Sequence, residues 1–179
     1  MKQTVIKQVA RPFCLMRPRA VATSFVVCVC AMLTACQHDP WANEFLTKQP
    51  LERDLVGTYA VDADSQRRQI TLPMSNAPFP VSSSGRIVLS SDHKAVLTRV
   101  PEYDGEKPCS LSGHGSWELG RNDRYAVVNV QVQNEDMGGG CRGQLGFQLM
   151  VFGDKPPYKL HITIGDPDSG DAVQFEKQP

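Results

Sequence analysis

From residue 55 to the C-terminus the chain alternates apolar and polar side chains with a period of two, and that period restricts it to strands. In YAVVNVQVQ, residues 125–133, Ala126, Val128, Val130 and Val132 fall on one face while Asn129, Gln131 and Gln133 fall on the other. Leu145, Phe147, Leu149 and Val151 share a face in GQLGFQLMVF, as do Tyr158, Leu160, Ile162 and Ile164 in YKLHITI and Val173 and Phe175 in DAVQFEK. Such alternation marks strands with one face in a core. The shorter runs LVGTYAVD, RQITL, GRIVLS, AVLTRV and GSWEL bring the expected count to about eight or nine, and no stretch has helical periodicity.

The segments DADSQ, SDHK, GRND, GDKPP and GDPDSG separate these strands with the Asp, Asn, Gly, Ser and Pro that turns select. Consecutive short strands joined by turns predict an all-β antiparallel meander. Because a meander leaves exposed edges unless it closes, the expected architecture is a small closed or nearly closed up-and-down barrel, with a β-sandwich as the alternative. In a meander alternate connections lie at the same end. The long ones, PMSNAPFPVSS, PEYDGEKPCSLS and NEDMGGGC, would then gather with GDPDSGD at one end of the barrel and the short turns at the other.

The N-terminal segment obeys a different logic. Residues 1–35 carry Lys2, Lys7, Arg11, Arg17 and Arg19 with no acid, followed by the 16-residue, weakly apolar run AVATSFVVCVCAMLTA. A basic stretch and a short apolar run form a secretory signal, and the run falls below the roughly 20 residues needed to span a bilayer as a helix. The run ends on Leu33, Thr34, Ala35 and Cys36. These four residues resemble the lipobox of bacterial lipoproteins. The resemblance implies cleavage before Cys36, a diacylglyceryl group on its thiol and an acylated new amine. Two or three acyl chains anchor a protein stably where one does not. The alternative is an ordinary secretory signal with an incidental cysteine. Met16 offers a second start that gives a signal of more usual length. Gln37 is not the Asp that in this family commonly retains lipoproteins at the inner membrane, so the expected location is the outer membrane of the cell envelope.

The expected organisation is therefore a signal over 1–35, a lipid-anchored tether over 36–54 and one β domain over 55–179. The tether, QHDPWANEFLTKQPLERD after Cys36, is broken by Pro40 and Pro50 and allows at most a helical turn around Trp41 to Leu46. Without the signal, 14 Lys and Arg against 19 Asp and Glu leave a formal charge of −5, which makes nucleic acid a poor partner. Cys14, Cys28 and Cys30 leave with the signal and Cys36 is the lipid site, so only Cys109 and Cys141 remain. In an oxidising envelope compartment these two are expected to form a disulfide, against the alternatives of free thiols or a metal pair.

The chemical signals are weak. Asp166, Asp168 and Asp171 cluster in GDPDSGD and suggest a calcium loop or an interaction loop. The segment fails the EF-hand pattern, with Gly170 at a ligand position, Asp171 in place of the glycine and Lys177 in place of the bidentate Glu, so a turn with Asx side chains bonding the backbone is the expectation. His38, His93, His114 and His161 are scattered without HExxH or CxxC, and no metal or cofactor is expected. His161 lies opposite Leu160 and Ile162 and is expected to face solvent, or else an internal cavity. His114 and Ser116 share a strand face but stand in no nucleophile motif, so no catalytic residue and no enzyme are expected. The GTY of Gly57 to Tyr59, opening a meander, faintly resembles the GxW first strand of lipocalins, which implies a carrier of apolar ligands, with Tyr in place of Trp. WEL together with GDPDSG is similar to uncharacterised bacterial proteins and implies no activity. Two functions follow as expectations: a membrane-anchored interaction module that contacts another envelope protein through its long loops, or a lipocalin-like carrier of an apolar small molecule.

Overall fold

The structure, a computed structural model, describes residues 39–68, 70–71, 78–79, 81–103, 108–134, 141, 144–165 and 167–179. All belong to the compact unit His38–Pro179. Eight antiparallel strands close into a barrel: β1 (Gly57–Val61), β4 (Arg86–Leu89), β5 (Lys94–Tyr103), β6 (Pro108–Asn122), β7 (Tyr125–Asn134), β8 (Gln144–Phe152), β9 (Lys159–Thr163) and β10 (Ala172–Lys177). Closure comes from β1, which pairs with β4 on one side and β10 on the other. The remaining pair, β2 (Ile70–Thr71) and β3 (Pro78–Phe79), forms a separate ribbon in the β1–β4 connection. RQITL is thus a strand, but outside the barrel.

The alternating residues face inward as their period predicts. Tyr59, Ile87, Leu97, Val130, Leu149, Leu160 and Phe175 are all 0–2% exposed and form one contiguous core. A side chain bordering a ligand-sized void would keep accessible surface toward it, so these positions are filled by one another. Phe147, paired with the inward Val130, is only partly buried.

In β5 the period breaks. Leu97 pairs with Gly113 and Val100 with Leu111, so three residues of β5 span two of β6. The extra residue is taken up at a bulge where Arg99 has φ +46° and its N–H donates to Ser112 Oγ. The bulge keeps both Leu97 and Val100 inside.

One barrel end is plugged by α1 (Glu52–Leu55). Leu55 is buried, Tyr59 Oη donates to the Leu55 carbonyl, and Lys177 Nζ donates to the Asp54 carbonyl. Burial pushes the Tyr59 phenol well above its usual range. The short connections 90–93, 123–124 and 153–158 lie at this end. The strand ends at Val61 and Arg86, Tyr103 and Pro108, Asn134 and Gln144, and Thr163 and Ala172 lie at the other, as the meander requires. PEYDGEKPCSLS is largely strand, so the β5–β6 connection is shorter than its composition suggests.

At that other end α2 (Ala63–Arg67) is capped by Asp62, whose buried carboxylate accepts from the Ser65 N–H at 2.7 Å and from Lys159 Nζ at 3.3 Å. Burial alone would raise this carboxyl, but the Ser65 bonds and Lys159 outweigh it and hold it below its ordinary value. A depressed carboxylate adds stability above its unfolded pKa and loses it as pH falls through the folded one. Asp62→Ala is therefore expected to cost about 1–2 kcal/mol at neutral pH. The gap from wild type, measured by urea unfolding, should narrow on acidification.

Candidate functional site

The barrel end opposite α1 is organised by a covalent bond. Cys109, at the start of β6, and Cys141, in the β7–β8 connection, form a disulfide with a Cα–Cα distance of 5.1 Å, and the Cys141 N–H donates to the Ser110 carbonyl at 3.1 Å. Both cysteines are buried, at the mouth end of the core. The bridge ties Cys141, in the β7–β8 connection, to the first residues of β6.

A third connection carries the acidic cluster. Asp166 lies outside the described residues. Asp168 is exposed on a single 3₁₀ turn, Pro167–Ser169, and the Asp171 N–H bonds Ser169 Oγ while its carbonyl accepts from the Ile164 N–H. Gly165 and Gly170, at φ +75° and +72°, supply the left-handed corners that other residues adopt at a cost. This is a longer loop than a two-residue hairpin turn. Among the described residues no group of three His, Cys, Asp or Glu is placed to hold a metal ion.

The same loop holds the N-terminal segment. Residues 39–54, expected above as tether, lie against the barrel. Trp41 Nε1 donates to the Gly170 carbonyl at 2.9 Å, and Asp39 Oδ1 accepts from the Trp41 N–H. The Leu46 N–H donates to the Val151 carbonyl, the Ala126 N–H to the Leu46 carbonyl, and the Gly153 N–H to the Glu44 carbonyl. Residues 39–45 thereby lie as a strap along the outside of β8 and β9, and Leu46, with its side chain in the core, is hydrogen-bonded between Ala126 of β7 and Val151 of β8.

Beneath the strap is His161. It points outward, as its register opposite Leu160 predicts, but it does not reach solvent: it is 0% exposed. The ring stacks on Phe152 at 5.8 Å and is closed over edgewise by Phe45 at 5.0 Å and Trp41 at 5.6 Å. Neither ring nitrogen has a hydrogen-bond partner among the described residues. Burial pushes the imidazole down to about 4, Asp39 opposes this and Arg68, whose guanidinium lies 4.9 Å over Trp41, adds to it.

The other chemical candidates stay apart. Cys36 and His38 lie outside the described residues. His114 and Ser116 both face outward on β6, opposite Gln133 and Gln131 on one side and Val96 and Lys94 on the other, with no acid among those cross-strand neighbours. His93, at φ +62° in the β4–β5 turn, stacks on Trp117 at 5.2 Å, and Glu52 lies 3.6 Å from its Nε2. Sequence reasoning missed Trp41 and Phe45. The available signal was on the strands: Val127, Met150 and Phe152 are apolar at outward positions, so something had to cover that part of the wall. No helix of the described residues is long and apolar enough to cross a membrane.

No known protein family, curated protein or solved structure matches this chain.

Proposed function

We propose that this chain is a lipid-anchored protein of the bacterial envelope, held at the outer membrane through Cys36, and that it is an interaction module whose long connections at the disulfide end contact another envelope protein. The observation that carries the reading is the disulfide Cys109–Cys141, which ties the β7–β8 connection to the start of β6 at the end opposite α1, on a barrel whose middle is packed with its own side chains. Loops presented by a rigid scaffold are where recognition concentrates, and a cross-link lowers the ordering cost a partner must meet. The anchor rests on the basic n-region, the short apolar run and the LTAC of residues 33–36.

Both halves are testable. Cells fed a labelled fatty acid are expected to label the chain, and Cys36→Ser is expected to abolish the label and leave the protein unattached to membranes. Labelling of Cys36→Ser at the wild-type level would overturn the anchor. In-cell crosslinking is expected to trap one envelope protein, and replacing residues 104–107 or 135–140 by Gly-Ser should lower that yield at least tenfold. An unchanged yield would move the binding surface away from the mouth.

A second reading is favoured by one observation. Phe147 faces inward yet is only partly buried, which suits a small apolar ligand seated near the mouth of a lipocalin-like carrier. Native mass spectrometry of the chain purified from its own envelope separates the readings. A stoichiometric apolar ligand selects the carrier, and an empty monomer unmoved by added lipids selects the interaction module.

A further inference from the structure

We propose that residues 39–46 form an acid-released strap: protonation of His161, sealed beneath it, frees the segment from the outer wall of the barrel. The strap is held by the Leu46, Ala126 and Gly153 backbone bonds, by the Trp41 Nε1 bond to Gly170, by the buried Leu46 side chain, and by Trp41 and Phe45 packed edgewise on the imidazole and on Phe152, with Phe45 also against Tyr125. The imidazole is packed as an apolar ring, with neither nitrogen hydrogen-bonded among the described residues. A charged imidazole has no hydrogen-bond partner there, whereas water solvates it once the strap is open, so protonation weakens the closed strap relative to the open one.

The charged groups on the surrounding elements do not remove this conflict. Asp39 sits on the strap itself and favours the imidazolium, but its carboxylate is engaged by the Trp41 N–H. Arg68, after α2, opposes the charge. Lys159, two residues along on β9, is held by Asp62 and lies 3.9 Å from Glu176. Asp168 and Asp171 belong to the loop that receives Trp41. The sign follows from a His whose folded value lies below its unfolded one. The closed strap keeps its full stability above the unfolded pKa of about 6.5 and loses it as pH falls from there toward about 4.

Release would change where the barrel stands. On the lipid-anchor reading proposed above, on which this consequence rests, Asp39 lies three residues after Cys36, a stretch that spans at most about 10 Å. With the strap free, the first barrel-held residue becomes Thr47, whose carbonyl accepts from Arg121. Thr47 lies eleven residues after Cys36, a stretch that spans up to about 35 Å. Acidification would thus lengthen the leash and bare Trp41 and Phe45, side chains suited to a membrane–water interface.

The test is amide hydrogen exchange on the full chain purified from bacterial membranes in mild detergent, corrected for the intrinsic pH dependence of exchange. Between pH 7.5 and 4.5 the strap-dependent amides of Leu46 and Gly153 should lose protection on the order of 50-fold, while amides of β7 such as that of Val130 keep theirs. His161→Leu, which cannot charge, should hold the strap closed at both pH values. A ring titration of His161 by NMR in the wild-type chain provides the second readout and should move together with the Leu46 amide. The proposal is overturned if His161 titrates while the strap stays protected, if β7 opens in parallel, or if His161→Leu retains the acid response. A chain found without acyl groups would remove the leash and leave the strap result intact.

Discussion

Replacing Cys141 by serine, or reducing the bridge, is expected to lower the unfolding free energy by about 3–4 kcal/mol. The figure follows from the 32-residue separation of Cys109 and Cys141, which sets the chain entropy that the cross-link withholds from the unfolded state. Urea unfolding with and without reductant measures it. Cys109→Ser, Cys141→Ser and the double variant should lose nearly the same amount, because each breaks the same bond. A loss below about 1 kcal/mol would mean that the β7–β8 connection is ordered by its other contacts, of which the Cys141 N–H to the Ser110 carbonyl is one. The functional consequence separates from the thermodynamic one. Interaction through the mouth should weaken on reduction even under conditions where the barrel stays folded, because the tied connection recovers the freedom that a partner must then remove.

The barrel was legible because its inward positions are spaced by two in strands that nothing interrupts. Ala126, Val128, Val130 and Val132 in β7 and Leu160 with Ile162 in β9 face the core as their pattern requires. Counting connections puts Cys109 and Cys141 at one end, since their segments follow β5 and β7 and an up-and-down chain returns to the same end every second connection. What stayed illegible depends on contacts between residues distant in sequence. His161 shows no sign, in its own segment, of the Trp41 and Phe45 that cover it 116–120 residues earlier in the chain. WANEF lies between two prolines and reads as linker, because period and turn chemistry are local signals and docking is not. The same holds for RQITL, whose alternation is correct for a strand and silent about which sheet it joins. The bulge at Arg99 escaped for a related reason: three inward-to-inward steps look like a broken period until the partner strand is known.

A single-residue effect of similar size is expected on β6, which read only as the fragment GSWEL and proved to be 15 residues long. Gly113, Gly115 and Gly120 obscure its alternation, yet they differ in what they do. A Cβ on Gly115 would stand 1.8 Å from the Gln131 carbonyl oxygen, and one on Gly113 2.0 Å from that of Gln133. Both obstacles are backbone of β7, so β6 and β7 approach there closer than any side-chain-bearing residue permits, and relief requires the two strands to part. At Gly120 the nearest atom, at 2.4 Å, is Asn129 Nδ2, the end of a side chain that can swing into solvent. Gly115→Ala is therefore expected to cost about 3 kcal/mol or more, at the upper end of overpacking penalties, whereas Gly120→Ala should cost less than about 1 kcal/mol. Chemical unfolding of the two variants side by side decides the matter, since both add one methyl group to one strand. Equal losses would show that glycine content, rather than the distance between backbones, governs this part of the wall. A loss confined to Gly115→Ala would locate the tightest seam of the barrel between β6 and β7, the two strands that lead into the disulfide-pinned mouth.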